Sequence, residues 1–467
     1  MGNVARALDG GGEVVALVPE AASEIVAWLR ADAHEAEMAA RRIDRLLAEA
    51  GKDARAPATL RRIASWARFA ADDLEWRIDV IVRADSAVRW DGGMASLTFA
   101  SPRWAEPAGP VVSSAWVSLG PLFEILALWG FLSDGPERVK AWWESLDITM
   151  RQKLIDECPQ LIGGLVGVPI PVRDAVNKRL ARDRLAQLEA ELRSLPAGSG
   201  RLVHLLEVIK SHKRMLQDDV TLLVYDPRGD GRAVAVIGDI VNAAHIGVLV
   251  PGMNTDMGDV RGQIIQAARV QRSAKDWAAR GEPVATVMWL GYDTPGAVSV
   301  GGDRAAEEGR DALAAFVNTE IPAVNRRGQG AHVTVAAHSY GSVAVGLAAQ
   351  TGLKANDLVL VGSPGVRARR AEQLGDPAHV WVGAAPGDWI PRAPVHGPDP
   401  AGAAFGARRF DTGTASGHSD YYGDHQDGSE NESSRNVARV IAGRYDEVSS
   451  LPSTPSPSPP PAPSPSP

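Results

Sequence analysis

Ser339 stands in VTVAAHSYGS, residues 333–342, between a β-branched run and a small-residue helical pattern. A serine hydroxyl is a weak nucleophile unless a sharp strand-to-helix turn presents it and a neighbouring base takes its proton. Ala337, His338, Ser339, Tyr340 and Gly341 have the composition of such a turn, with a small residue two positions either side of the serine. Alanine holds the place usually given to the first glycine, and S-x-G also occurs in ordinary turns. The rest of the chain must therefore supply a base, an acid and amide donors for an oxyanion.

Acid and base are sought in the order Ser, Asp, His at the ends of later strands. After HVWVGA comes APGDWIPR, which offers Asp388 in a glycine-containing turn. After ARRF comes DTGTASGHSDYYGDH, which offers His418 and His425. His418 is preferred because it lies on a small-residue loop just past the strand, and His396 in PVHGPDP ranks third. For the oxyanion, the amide of Tyr340 follows the nucleophile, and the VPGMNTD loop offers the amide of Met253 or Asn254. In the expected chemistry His418 takes the Ser339 proton as the hydroxyl attacks a carbonyl, and Asp388 orients the imidazole. No cofactor is needed and no metal is expected: the chain has no H-E-x-x-H spacing and no phosphate-loop glycine pattern.

These residues need a scaffold of strands that end side by side. From residue 220 onward, short apolar runs alternate with helical stretches: 220–225, 233–238, 246–251, 284–290, 333–337, 358–362, 379–384 and 407–410. Near-continuous apolar strands joined by crossover-length helices predict a mostly parallel eight-stranded sheet covered on both faces. Only DPRGDGR separates the first two runs, so they form an antiparallel hairpin. Eight strands in this order suit the α/β-hydrolase fold.

The earlier chain reads as helical. Amphipathic stretches at about 20–50 and 59–84 predict a helical hairpin within 1–110. Residues 111–215 form a further helical region that could serve as a lid, 216–446 the hydrolase domain, and 447–467 a Pro/Ser-rich disordered tail. The Trp90-Asp91-Gly92 tripeptide is read as a packing tryptophan before a turn. The apolar segment 109–132 approaches bilayer-spanning length, but Glu124, Pro121 and its serines favour a buried helix. Membrane association is accordingly not expected.

The net charge of −8 gives no basic footprint for nucleic acid. The lone Cys158 excludes an internal disulfide and reads as an inert buried thiol. The N-terminus lacks an apolar signal core, and Ala7 interrupts a myristoylation pattern at Gly2, so a cytoplasmic location is expected, with non-classical export left open. Expected partners are a small-molecule or lipid ester and, through the N-terminal helices or the Pro-rich tail, another protein.

PERVKAWWESL, LIDECPQLIGGLVGVPIPVRDAVNKRL, LLVYDPRGDGRAVAVIGD, VLVPGMNT, WLGYDTP, AAHSYGS, LVGSPGV and GHSDYY together resemble a largely uncharacterised actinobacterial α/β-hydrolase family, from about 136 to 444. The resemblance implies an α/β-hydrolase fold preceded by an α-helical region, with Ser339 as nucleophile and Asp388 and His418 at the acid and base positions. Where the family resembles IGNLDGVP this chain has IGGLVGVP, with Gly164 and Val166 replacing a polar pair. If that loop caps the pocket, substrate polarity differs. The expected function is a serine hydrolase acting on carboxylic esters, with lipid or other apolar acyl esters favoured because the helical region supplies apolar side chains. The alternative is a non-catalytic interaction protein that uses the hydrolase fold as a scaffold.

Overall fold

The computed structural model describes residues 6–9, 12–15, 135–157, 159–196, 199–295, 304–392, 395–423 and 430–451. The helical hairpin expected before residue 110, the tripeptide at 90–92, the apolar segment 109–132, Cys158, His425 and the tail from 452 lie outside these residues. Among the described residues no helix is long and apolar enough to cross a membrane.

The chain forms two compact units, one of residues 1–112 and 119–157, the other of 113–118 and 158–467. In the first, β1 (Arg6–Asp9) pairs antiparallel with β2 (Gly12–Val15). This hairpin was absent from the sequence expectation, although Gly10-Gly11 between the strands is a favoured hairpin turn pair. Helices α1 (Pro136–Ser145) and α2 (Ile148–Glu157) belong to the same unit. Arg151 of α2 donates to the Trp143 and Glu144 carbonyls at 3.0 and 2.9 Å, tying α2 to the end of α1.

The second unit begins with α3 (Pro159–Gly164), α4 (Ile170–Ser194) and α5 (Leu202–Met215). Then come β3 (Val220–Asp226), β4 (Arg232–Ile237), β5 (His245–Val250), α6 (Val260–Trp277) and β6 (Val284–Leu290). Helix α7 (Arg304–Ala315) runs on through a π-helical turn at Phe316–Glu320. The chain continues with β7 (His332–His338), α8 (Gly341–Gln350), β8 (Asp357–Val361), β9 (Val380–Gly383), β10 (Arg408–Arg409) and α9 (Glu432–Ile441).

The eight strands lie in the order β10-β9-β8-β7-β5-β6-β4-β3. β3 and β4 pair antiparallel, as the short connection requires, and β4 pairs antiparallel with β6. Every pair from β6 to β10 is parallel. Parallel strands are covered on both faces, and β6 and β8 are accordingly buried along their whole length.

Helix α4 protects the β3 edge. Lys178, Asn177 and Arg173 donate to the carbonyls of Val220, Leu222 and Leu223 at 2.6, 3.0 and 3.0 Å, and Asp174 accepts from the Leu222 amide at 2.6 Å. These side chains give an open sheet edge the partners that another strand would otherwise supply. Arg173 also forms a fully buried ion pair with Glu320 at 2.6 Å. Residues 159–215 thus flank the sheet. Gly164 and Val166, expected near a pocket cap, are buried at the α3–α4 junction and are not among the described residues lining the cavity at Ser339.

Candidate active site

β7 lies between β5 and β8, so its carboxyl end is surrounded by the ends of other parallel strands. Immediately after it, Ser339 takes φ = 54°, a left-handed conformation rare for a residue with a side chain. Such a backbone costs on the order of 1–3 kcal/mol and persists only where packing enforces it. The packing is visible: the Ser339 amide donates to the Val361 carbonyl at 3.0 Å, and Ser342 Oγ donates to the Ser339 carbonyl at 2.6 Å. A Cβ on Gly341 would fall on the Pro251 carbonyl, and one on Gly252 would sit 2.8 Å from Ser339 Cβ. The Pro251–Gly252 backbone therefore packs directly against the turn. Ala337 pairs with Val250 and Leu360 inside the sheet, and its methyl is fully buried there. The departure from glycine is accommodated by the strand.

His418 Nε2 lies 2.7 Å from Ser339 Oγ, and its Nδ1 donates to Asp388 Oδ2 at 2.8 Å. Because a carboxylate only accepts, the proton belongs on Nδ1 and the lone pair on Nε2, facing the serine hydroxyl. Asp388 is buried, and its other oxygen accepts from the Ile390 amide at 3.0 Å. The structure thus brings Ser339, Asp388 and His418 together. His396 does not join them; its buried ring packs edge-on against Tyr340 at 5.2 Å between centroids.

The two oxyanion candidates on the PGMN loop separate. The Asn254 amide donates to the Pro295 carbonyl at 3.1 Å, so it is already committed. This corrects the reading that either amide could serve and leaves Met253, beside Gly252, together with Tyr340 at the start of α8. Asn254 reaches φ = 54°, and its side chain lines the cavity.

Two residues were missed in the sequence. Tyr421 donates to Asp388 Oδ2 at 2.7 Å and accepts from the Ala385 amide at 2.9 Å, bracing the acid from the loop that carries the base. Burial pushes its phenol pKa well up, so it remains a donor. His338 donates from Nε2 to the His418 carbonyl at 2.7 Å, and its ring lies 4.8 Å from that of His418. Burial, aided by His418, lowers its pKa to about 4, so it is neutral near pH 7. Both sit inside quoted motifs, AHS and GHSDYY, but only the packed loops reveal whom they touch.

A cavity of about 240 Å³ opens onto Ser339 and His418. Among the described residues lining it, Met253 is the one aliphatic side chain beside polar and aromatic ones such as Gln263, Gln266 and Tyr422. The helical region 111–215, expected to supply apolar side chains to the site, contributes none of the described residues of this wall.

Residues 226–398 match the family model described as alpha/beta hydrolase. An uncharacterized protein of Mycobacterium bovis is 32% identical over 207 residues, 43% of this chain and 71% of that protein. The chain belongs to the alpha/beta hydrolase family. An uncharacterized protein of Mycobacterium tuberculosis is also 32% identical, over 380 residues, 68% of this chain. The chain spans 57% of the length of that relative. Among solved structures, the esterase LipW from Mycobacterium marinum aligns over 57% of this chain and 94% of its own at 13% identity and a TM-score of 0.31, too slight a likeness to carry an argument. In this alpha/beta hydrolase the family match ends ten residues past Asp388 and leaves His418 outside it.

Proposed function

We propose that the protein is a serine hydrolase that cleaves carboxylic esters through Ser339, His418 and Asp388. The observation that carries this reading is the 2.7 Å approach of His418 Nε2 to Ser339 Oγ, with Nδ1 of the same ring held by a buried carboxylate. Ser339 Oγ attacks the ester carbonyl carbon while its proton passes to Nε2, and the amides of Tyr340 and Met253 receive the charge on the carbonyl oxygen. The C–O bond to the alcohol breaks as Nε2 returns the proton to the departing oxygen. Water then attacks the acyl-serine, again giving its proton to Nε2, and the acid leaves as Ser339 recovers its hydroxyl. Esters are favoured over amides because the alcohol is the better leaving group.

A fluorophosphonate probe tests the reading: it should label the folded protein and lose that labelling in Ser339→Ala. An unlabelled folded protein returns the fold to the role of a binding scaffold. Replacing His418 should abolish p-nitrophenyl acetate turnover and replacing His425 should not; the reverse result moves the base to His425.

A further inference from the structure

The cavity at Ser339 is walled by the first two turns of α6. Val260, Ile264 and Ala267 of this helix are buried in the core, whereas Gln263 and Gln266, one turn apart, are half-buried and line the cavity. Among the described residues neither carboxamide has a hydrogen-bond partner. Tyr422 also lines the cavity and is only 6% exposed, but its hydroxyl is buried out of reach of a ligand there. At the exposed rim stand Asn254, Asp259 and Ser419.

We propose that this cavity binds a polyhydroxylated, uncharged group, a sugar ring or comparable polyol, as the alcohol portion of the ester. The inference rests on the esterase reading above. A carboxamide offers a donor and an acceptor in one group, and so does each hydroxyl of a polyol. An alkyl chain here would strand both carboxamides without partners. A cationic head group would find one carboxylate, Asp259, exposed at the rim with Oδ2 already accepting the Asp256 amide at 3.1 Å, and exposed charges of this kind attract weakly. An anionic group would meet that same carboxylate unfavourably. The volume, about 240 Å³, lies below the usual range for drug-sized ligands and suits a single ring. Ser419 adjoins His418 in the cavity wall, and His418 must reach the departing oxygen to protonate it, which places the polyol on the alcohol side.

The test compares methyl 6-O-acetyl-glucopyranoside with cyclohexylmethyl acetate, a ring ester lacking the hydroxyls, on the full chain. The sugar ester should be turned over with kcat/KM higher by about 100-fold or more, as for sites built to bond a hydroxyl. Gln263→Leu/Gln266→Leu should shrink that ratio by at least about ten-fold, the loss expected for unpaired polar contacts. The unfolding midpoint of this variant separates lost recognition from lost folding. Equal turnover, or a preference for the cyclohexyl ester, with Ser339-dependent p-nitrophenyl acetate turnover intact, overturns the polyol site and leaves the esterase reading standing. Absence of all ester turnover and of probe labelling overturns both.

Discussion

Asp388 does more than balance charge. Its Oδ2 receives His418 Nδ1 and Tyr421 at 2.8 and 2.7 Å, and Oδ1 receives the Ile390 amide at 3.0 Å, so one carboxylate fixes the base, the loop that carries it and its own turn. Asp388→Asn should preserve the fold but favour the wrong imidazole tautomer, lowering kcat by about 10⁴-fold with KM little changed. Steady-state kinetics on p-nitrophenyl acetate read this out. Tyr421→Phe leaves the Ala385 amide and one carboxylate lone pair unpaired in a buried site. It should lower the unfolding free energy by about 1–3 kcal/mol, measured by urea titration. It should also lower kcat, with a smaller effect than Asp388→Asn, because Nδ1 keeps its partner.

At the scale of elements, the β7–α8 turn depends on the Pro251–Gly252 backbone packed beneath it, and the sheet depends on α4 along its β3 edge. Motif spacing shows the first in part, since VPGMN and AHSYG are both legible. The second is hidden, because a helix that buries Arg173, Asn177 and Lys178 against strand carbonyls resembles an ordinary amphipathic helix in the sequence. Arg173→Ala should be costly, removing a donor to Leu223 and the guanidinium paired with buried Glu320. A loss of about 3–5 kcal/mol is expected in chemical denaturation, the scale for breaking a buried pair. Replacing Arg173 with Met and Glu320 with Leu together should recover much of that loss, because neither then buries a lone charge.

His338 and Asp357 both contribute to how the molecule responds to acid. His338 has a folded pKa of about 4, below the roughly 6.5 of a free histidine. Between these values unfolding takes up a proton, so stability falls as pH falls, with a slope of up to about 1.4 kcal/mol per pH unit from this site. His338→Leu should flatten the unfolding free energy between roughly pH 6.5 and 4. Asp357 lies at the opposite end of the strands from Ser339. Burial alone would raise its pKa, but donors on His332, Tyr445, His379 and Trp381 outweigh burial and lower it. Its contribution is present above the ordinary aspartate pKa and is lost as pH drops further, so acid unfolding extends below the His338 window. The Asp357 cluster ties the starts of β7, β8 and β9 to Tyr445 beyond α9, which makes the end of the described chain part of the fold.

The sequence by itself determined the strands. Runs of β-branched and apolar residues report burial on two faces, and the eight expected strands fall within a residue or two of the observed ones. It also placed Ser339, Asp388 and His418 at strand ends, because local turn chemistry and chain order are written along the chain. Only the tertiary structure separated Met253 from Asn254, since that depends on the Pro295 carbonyl 41 positions away meeting one amide and not the other. It alone joined Tyr421 to Asp388 and His338 to His418, and it alone brought Gln263 and Gln266 into the cavity wall. Hydrophobic periodicity reports which face of a helix is buried in the core. It does not report what the other face meets, and at this site that other face lines the cavity.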